Sequence, residues 1–479
     1  MPGSARDQLK GSDLWKIVRQ LPKGSLLHGH LPFMVDTDSL LDQALATPGF
    51  NLSAPAPLIS EQEYQEAPFT LRYYPRSAGK SKDKPSIWAQ NYEPSTSIDL
   101  QTAAASFPDR GREGFREWLK SRLTLPEKST SNGSKAISDL FDRCLPLVNS
   151  ILQYEPILRS SLRSTFSQLA ADKVRHVEFR VAFTFPYILE GNSQPEQDYD
   201  GWFQILHEEI ERFKSSDAGR GFYGARVVWA TRRDLSDKEI GFSMKQCLLA
   251  KEQFPDLICA FDLLGPESYG RPLRDLLPIL FWFRARCAEE GMEVPFAFHA
   301  GYCLGDGDQA DGNLFDAALL GTRRIGQALS LYKHPLLIDA LKQKNILIEC
   351  SPSSSACLGL TKSFQSHPFP ALLSRGVSVA MTNDSPGVFG LGENSLSPDF
   401  YLALLSFQSM GLSGLTMMVE NSIRWSCYED QSAKEWATDL QEAILGKGLK
   451  AARLHDFYAD FEKFCEWVVQ TFEQKYNLE

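Results

Sequence analysis

Along most of the chain, short runs of β-branched and aromatic residues alternate with longer segments whose apolar positions recur every three to four residues. The short runs fall at 26–30, 174–183, 225–230, 257–264, 294–299, 323–325, 346–349 and 377–381, and their length and residue types predict strands. Helical spacing predicts helices over 14–20, 139–169, 202–213, 244–252, 272–290 and 335–344,. Strands joined through helices build a parallel sheet, and eight such repeats predict an α/β fold closed into a (β/α)8 TIM barrel. Two stretches break the rhythm. One is rich in Ser, Pro and charge, with aromatic islands at Trp88 and Trp118, and reads as an insertion after the first strand, partly helix and partly loop. The other, near the end, carries helical segments expected to pack outside the barrel. The predicted units are 1–50 (N-terminal helix and first strand), 51–135 (insertion), 136–395 (the rest of the barrel) and 396–479 (C-terminal helices).

Polar residues gather where such a barrel does its chemistry, at the C-terminal ends of the strands. His28 and His30, Glu178 and Arg180, Glu267, His299, Gln327, Glu349 and Asp384 all stand at or just past the ends of the apolar runs. His28 and His30, two apart on an extended segment, project to one side. With His299 and Asp384 they form a nitrogen and oxygen donor set suited to Zn2+, with room for a water whose pKa the ion would lower. Taken singly, His299 reads as a core histidine and Asp384 as a turn residue before Pro386. Three strand ends of one barrel supplying the set favours the metal. Plainer readings hold for Glu178 and Arg180 as a buried ion pair or polar layer in the barrel mouth, for His334 as a helix start, and for Phe281, Trp282 and Phe283 as helix packing. Trp88 and Trp118 are placed to cap the pocket.

Composition narrows the partners. A net charge of −10 disfavours binding to a phosphate backbone, so no nucleic-acid partner is expected. The nine cysteines are scattered and lack a Cys-x-x-Cys pair, which reads as free thiols in a reducing compartment and excludes a Cys-rich deaminase zinc site. The polar first ten residues and the lack of any run of membrane-spanning length lead to the expectation of a cytoplasmic protein that does not engage a membrane.

The motifs resemble the adenosine deaminase family, and within it the adenosine deaminase growth-factor branch, over most of the chain. The resemblance rests on Leu21-Pro22-Lys23-Gly24-Ser25-Leu26-Leu27-His28-Gly29-His30, His176-Val177-Glu178-Phe179-Arg180, Phe261-Asp262-Leu263-Leu264-Gly265-Pro266-Glu267, His299-Ala300-Gly301, Arg324-Ile325-Gly326, Ile348-Glu349-Cys350-Ser351-Pro352 and Asp384-Ser385-Pro386. It implies that His28, His30, His299 and Asp384 bind one zinc ion, and that the chain forms a homodimer. It also exposes departures. Where the family has the Glu that protonates the purine ring, this chain has Tyr302. Where it has the His that orients or deprotonates the attacking water, this chain has Gln327 followed by Ala328. Ser385 replaces a second Asp that holds the purine, Pro32 replaces the Asp that meets the ribose, and Ser353-Ser354-Ser355 replaces Ile-Ser-Asn.

Attack at an aromatic ring carbon requires a proton on the adjacent ring nitrogen, and neither Tyr, with a pKa of about 10, nor Gln supplies one near neutral pH. Loss of such a general acid costs roughly 10²–10⁴-fold. Three functions follow. The first is a zinc-dependent enzyme of altered chemistry acting on a non-adenosine small molecule, by hydrolysis of an amide, ester or C–N bond or by a metal-assisted lyase or rearrangement step. Asp384, Tyr302, Gln327 and Glu267 are its candidate catalytic residues, and Ser385, Gly265, Pro32 and Glu349 its candidate substrate contacts. The second is an inactive zinc-binding protein, and the third a residual purine deaminase using Glu267 or Glu349. Cys303 is expected to be a structural thiol.

Overall fold

The structure, a computed structural model, describes residues 11–74, 85–125, 133–192, 194–305, 307–390 and 395–476. Strand β1 (Gly24–His30) leads into an excursion that carries a three-stranded antiparallel sheet, β2 (Phe50–Ser53), β3 (Thr70–Tyr73) and β4 (Ile98–Asp99), in the order β3-β2-β4. The chain then returns through helix Glu155–Ala171 to β5 (Val174–Ala182), β6 (Gly224–Arg232), β7 (Ile258–Leu264), β8 (His299–Ala300), β9 (Arg324–Gln327), β10 (Leu347–Cys350) and β11 (Val379–Met381). β1 and β5 to β7 form one parallel arc, and β8 to β11 another. Bridges Phe261↔Phe296 and Gly29↔Asp384 join the arcs, which closes the eight-stranded (β/α)8 barrel predicted from the sequence.

Each of the eight barrel runs holds a strand position, because each is buried and apolar enough to sit between helices and the barrel interior, but the run over 294–299 is reduced to a bridge at Phe296 and the two-residue β8. The reading of 51–135 as helix and loop leaves out β2 to β4. β2 and β3 do alternate, with Phe50, Leu52, Leu71 and Tyr73 facing inward, but the runs are too short to separate from loop in the sequence. The predicted helix over 139–169 is in fact interrupted: it breaks at Gln153 and Tyr154 and restarts with Pro156 in the first turn of Glu155–Ala171, where proline is tolerated.

The excursion has a core of its own. Trp88 packs edge to face on Tyr64, Phe107 and Trp118, tilted contacts join Tyr64 to Phe107 and Phe115 to Trp118, and the Trp88 and Trp118 indoles donate to the carbonyls of Ala103 and Tyr64. Both tryptophans therefore belong to the interior of this lid rather than to the pocket wall. Its apolar cluster extends to Ala182, Ala230 and Leu264 at the ends of β5, β6 and β7 and to Val388 beyond β11, so the lid sits on the C-terminal mouth of the barrel. The opposite end is closed by the C-terminal segment. Its helices lie outside, but Trp425 and Cys427 between them enter a cluster with Leu27, Val228, Ala260, Ala297 and Leu347. Among the described residues no helix is long and apolar enough to cross a membrane.

Between floor and mouth lies a layer of buried charge. Arg180 donates to Asp262 (2.9 Å) and Glu349 (2.7 Å), and Arg324 donates to Glu349 (2.6 Å) and to Glu178. Glu178 and Arg180, adjacent on one face of β5, thus pair across strands and not with each other, and they lie beneath the mouth. Burial alone would push the Glu178 carboxyl up; the Arg324 guanidinium, with His176 and the Cys427 amide, holds it down at about 2. An unfolded glutamate titrates near about 4.3, so this carboxylate stabilises the fold fully above that value and loses its contribution as pH falls toward its folded value. Denaturant titrations between about pH 5 and pH 2 are expected to show unfolding free energy falling by up to about 1.4 kcal/mol per unit from this residue alone. A profile flat across that window would refute the assigned pairing.

Candidate metal centre

The end of β1 delivers the first two histidines. His28 and His30 share a face, and Gly29 between them is tied to its place because an added Cβ would run into Met34 Sδ. His299, at the start of β8, meets them: the His28 and His299 ring centroids are 4.6 Å apart and those of His30 and His299 5.4 Å. One nitrogen from each of the three lies within 4.8 Å of the others. Asp384 comes from the turn after β11, where its left-handed backbone (φ 57°) is one that Asp tolerates better than most residues. Its Oδ1 stands 3.3 Å from His30 Nε2 and 3.6 Å from His28 Nε2. The same residue closes the barrel, because the His30 amide donates to its carbonyl at 2.9 Å and its own amide to the His28 carbonyl at 3.2 Å.

Carboxylates behind the histidines set their tautomers. His28 Nδ1 is 2.8 Å from Glu349 Oε2, and His299 Nδ1 is 2.7 Å from Asp262 Oδ2. An ionised carboxylate only accepts, so each Nδ1 carries the proton and each Nε2 turns its lone pair toward the centre. Burial, joined for His28 by the Arg180 charge, pushes both His28 and His30 well below the usual histidine range, which keeps them neutral. Burial alone would raise the Asp262 carboxyl; His299 and Arg180 hold it far below the ordinary carboxylate range.

Charge supplies a second argument for a cation. The connected layer sets Arg180 and Arg324 against Glu178, Asp262, Glu349 and Asp384. Carboxylates outnumber guanidinium groups two to one in this buried layer, an arrangement costly unless further positive charge is supplied. A divalent ion held by His28, His30, His299 and Asp384 would supply it, and three nitrogens with one oxygen suit zinc. The residues present fit the metal.

The other residues singled out in the sequence divide into two groups. Gln327, with φ 71° followed by Ala328 at φ 43°, turns its amide into the centre: Nε2 donates to Asp384 Oδ2 at 3.1 Å, while Oε1 is buried without a partner. Ser385 donates to Asp384 Oδ1 at 3.2 Å. The Tyr302 hydroxyl lies 3.4 Å from Ser355 Oγ, and burial, with Asp384 nearby, pushes the phenol well above its usual pKa. These three gather at the centre. Glu349 does not face a substrate: it stands behind His28 with both oxygens engaged by His28, Arg180 and Arg324. Nor is Glu267 free for proton transfer. Its oxygens accept from the Gly301 and Tyr302 amides and from Asn313 Nδ2 at 2.7–3.0 Å, which pins the turn after His299. Pro32 lies buried in the 3-10 turn Leu31–Met34. Gly265 takes φ 108° at the end of β7 beside Arg233. Burial pushes the Cys303 thiol up to about 11, in keeping with an inert thiol. Asp262 was not among the predicted site residues, although a lone acid inside the apolar run Phe261–Leu264 is a visible signal.

A family profile described as adenosine deaminase matches residues 139–443. An adenosine deaminase 2-A from Danio rerio is 28% identical over 65% of this chain and 60% of its own length, and an adenosine deaminase from Lutzomyia longipalpis is 26% identical over 92% and 81%. Among solved structures, an adenine deaminase from Arthrobacter aurescens superposes with a TM-score of 0.54 at 18% identity, covering 88% of this chain and 98% of that one. An amidohydrolase from Burkhoderia ambifaria with bound zinc gives 0.53 at 16% identity over 95% and 96%. At these identities the structural likeness speaks for the fold.

Substitution behind the ligands tests the centre. Glu349→Gln is expected to weaken metal binding by roughly 10–100-fold, read by competition with a chelator. Gly326→Ala is expected to lower occupancy as well, since its Cβ would lie 2.9 Å from His28 Cε1; unchanged metal affinity in both would break the assignment.

Proposed function

The chain belongs to the adenosine deaminase family, and on that premise we propose that it is a zinc-dependent hydrolase whose pocket has been refitted for a small molecule other than adenosine. The observation that carries this reading is the Gln327 amide locked onto Asp384 beside a full set of metal donors. At that position the family resemblance calls for a titrating histidine, and a carboxamide neither takes up nor gives a proton. The position of the ring-protonating glutamate holds Tyr302, whose raised pKa leaves it a hydrogen-bond donor and a poor acid. Glu267 and Glu349 are engaged elsewhere, which disfavours a residual deaminase.

A divalent ion bound here would supply Lewis acidity and lower the pKa of water toward neutral. The protein's own groups then define what reacts. Asp384 takes the proton of the attacking water at Oδ2, which Gln327 Nε2 holds in place, and returns it to the leaving nitrogen or oxygen as the bond to that atom breaks. Gln327 Oε1, a buried acceptor without a partner, receives an N–H or O–H of the substrate, because leaving it unpaired costs about 1–3 kcal/mol. The Tyr302 hydroxyl donates to the substrate's carbonyl or leaving group. The lid excludes bulk water. Cleavage of an amide, an ester or a non-aromatic C–N bond needs nothing further, and in particular no ring protonation.

Elemental analysis beside an adenosine-to-inosine absorbance assay tests the reading, with His299→Ala as control. The expected result is about one zinc per chain, no adenosine turnover, and hydrolysis of members of an amide and ester panel that is lost in the control. Metal without any hydrolysis would favour an inactive zinc-binding protein. Adenosine turnover abolished by the control would overturn the argument from Tyr302 and Gln327.

A further inference from the structure

The far end of the barrel holds a cleft of about 420 Å³, between the N-terminal ends of β1, β5 and β6 and the long helix Leu449–Tyr476. Its walls carry Lys173, Arg175, Arg220, Arg453 and Lys463, with Asp460 as the one carboxylate among the lining residues. On a chain of net charge −10 such a concentration of cations does not follow from composition. We propose that this cleft binds an organic anion in which a phosphate group is joined to an aromatic body.

Two of the guanidinium groups, those of Arg175 and Arg453, are held in place. Arg175 Nη1 donates to the Tyr223 hydroxyl at 2.8 Å, and that hydroxyl donates to Asp456 Oδ2 at 2.8 Å. Arg453 lies 3.7 Å over the Tyr223 ring, and its Nε is buried without a hydrogen-bond partner. Arg175, Arg220 and Arg453 have carboxylate partners in Asp460, Asp217 and Asp456, whereas Lys173 and Lys463 form no ion pair among the described residues. Positive charge is therefore in excess at the rim. Lys173 is set there by a left-handed turn (φ 64°) that joins helix Glu155–Ala171 to β5. The arginine forks of Arg175 and Arg453 beside two exposed lysines suit a phosphate, which carries a charge of about −1.5 to −2. Deeper in, Phe222, Phe457 and Phe464 are buried and Trp467 half-buried along the same cleft. These rings provide a surface for an aromatic body, and a cavity of this size accepts a small ligand. Because the cleft lies at the opposite end of the barrel from the metal centre, its occupancy is independent of the proposed hydrolysis.

Calorimetric titration of the zinc-loaded full chain with 1-naphthyl phosphate tests this, with inorganic phosphate and 1-naphthol as comparators. The expected result is binding of 1-naphthyl phosphate alone, weakened about tenfold in the double variant Lys173→Asn with Lys463→Gln and unchanged in His299→Ala. Asn accepts the left-handed turn and Gln the helix, so both variants keep the fold. Absence of binding, equal binding of inorganic phosphate, indifference to the lysine pair, or loss in His299→Ala would each overturn the proposal.

Discussion

Two arginines on neighbouring arcs of the barrel, Arg180 and Arg324, decide how the candidate metal centre is built. Each is fully buried, and neither would be tolerated there without the carboxylates of Asp262, Glu349 and Glu178. A buried ion pair adds little net stability, because desolvation offsets most of the attraction. What it adds is direction. Glu349 is held by both arginines and can offer His28 only one geometry; Asp262, held by Arg180, does the same for His299. The imidazoles are thereby fixed in rotamer and tautomer before any ion arrives.

The fold and the site also share their closing contact. Asp384 bridges the last barrel strand to β1 through its backbone while its side chain joins the histidines. Above it the lid core presses on the ends of β5 to β7, and below it Trp425 and Cys427 shut the floor. The barrel interior is thus bounded on both sides by segments outside the (β/α)8 repeat.

Much of this is legible in the sequence, for reasons that differ by element. The barrel strands announce themselves because strands buried on both faces must be continuously apolar and β-branched, and His28, His30, His299 and Asp384 stand out because polar groups interrupt those runs at one end. The antiparallel strands of the lid do not show, since each is four residues or fewer, too short for its alternation to be told from loop. Nor does the division of labour among the acids. From sequence alone Glu267, Glu349 and Asp262 are all carboxylates near strand ends. Only the cross-strand register tells that two of them back histidines while Glu267 caps the Gly301 and Tyr302 amides. The bond from Gln327 to Asp384 is likewise invisible until the barrel closes.

That closure joins residue 29 to residue 384, and this separation bears on how the chain is made. During synthesis β1 emerges first, and its pairing with β5 waits until Val174 has followed it out. Its other edge stays open until the turn after β11 appears. An unpaired edge strand of apolar residues is a hazard for wrong association, and the long wait for a non-local partner slows folding. The candidate donors are spread in the same way along the sequence, at residues 28, 30, 299 and 384. On the ribosome, therefore, the four candidate donors cannot meet until Asp384 has followed β11 out, and an ion that they hold would be taken up only after the barrel has closed.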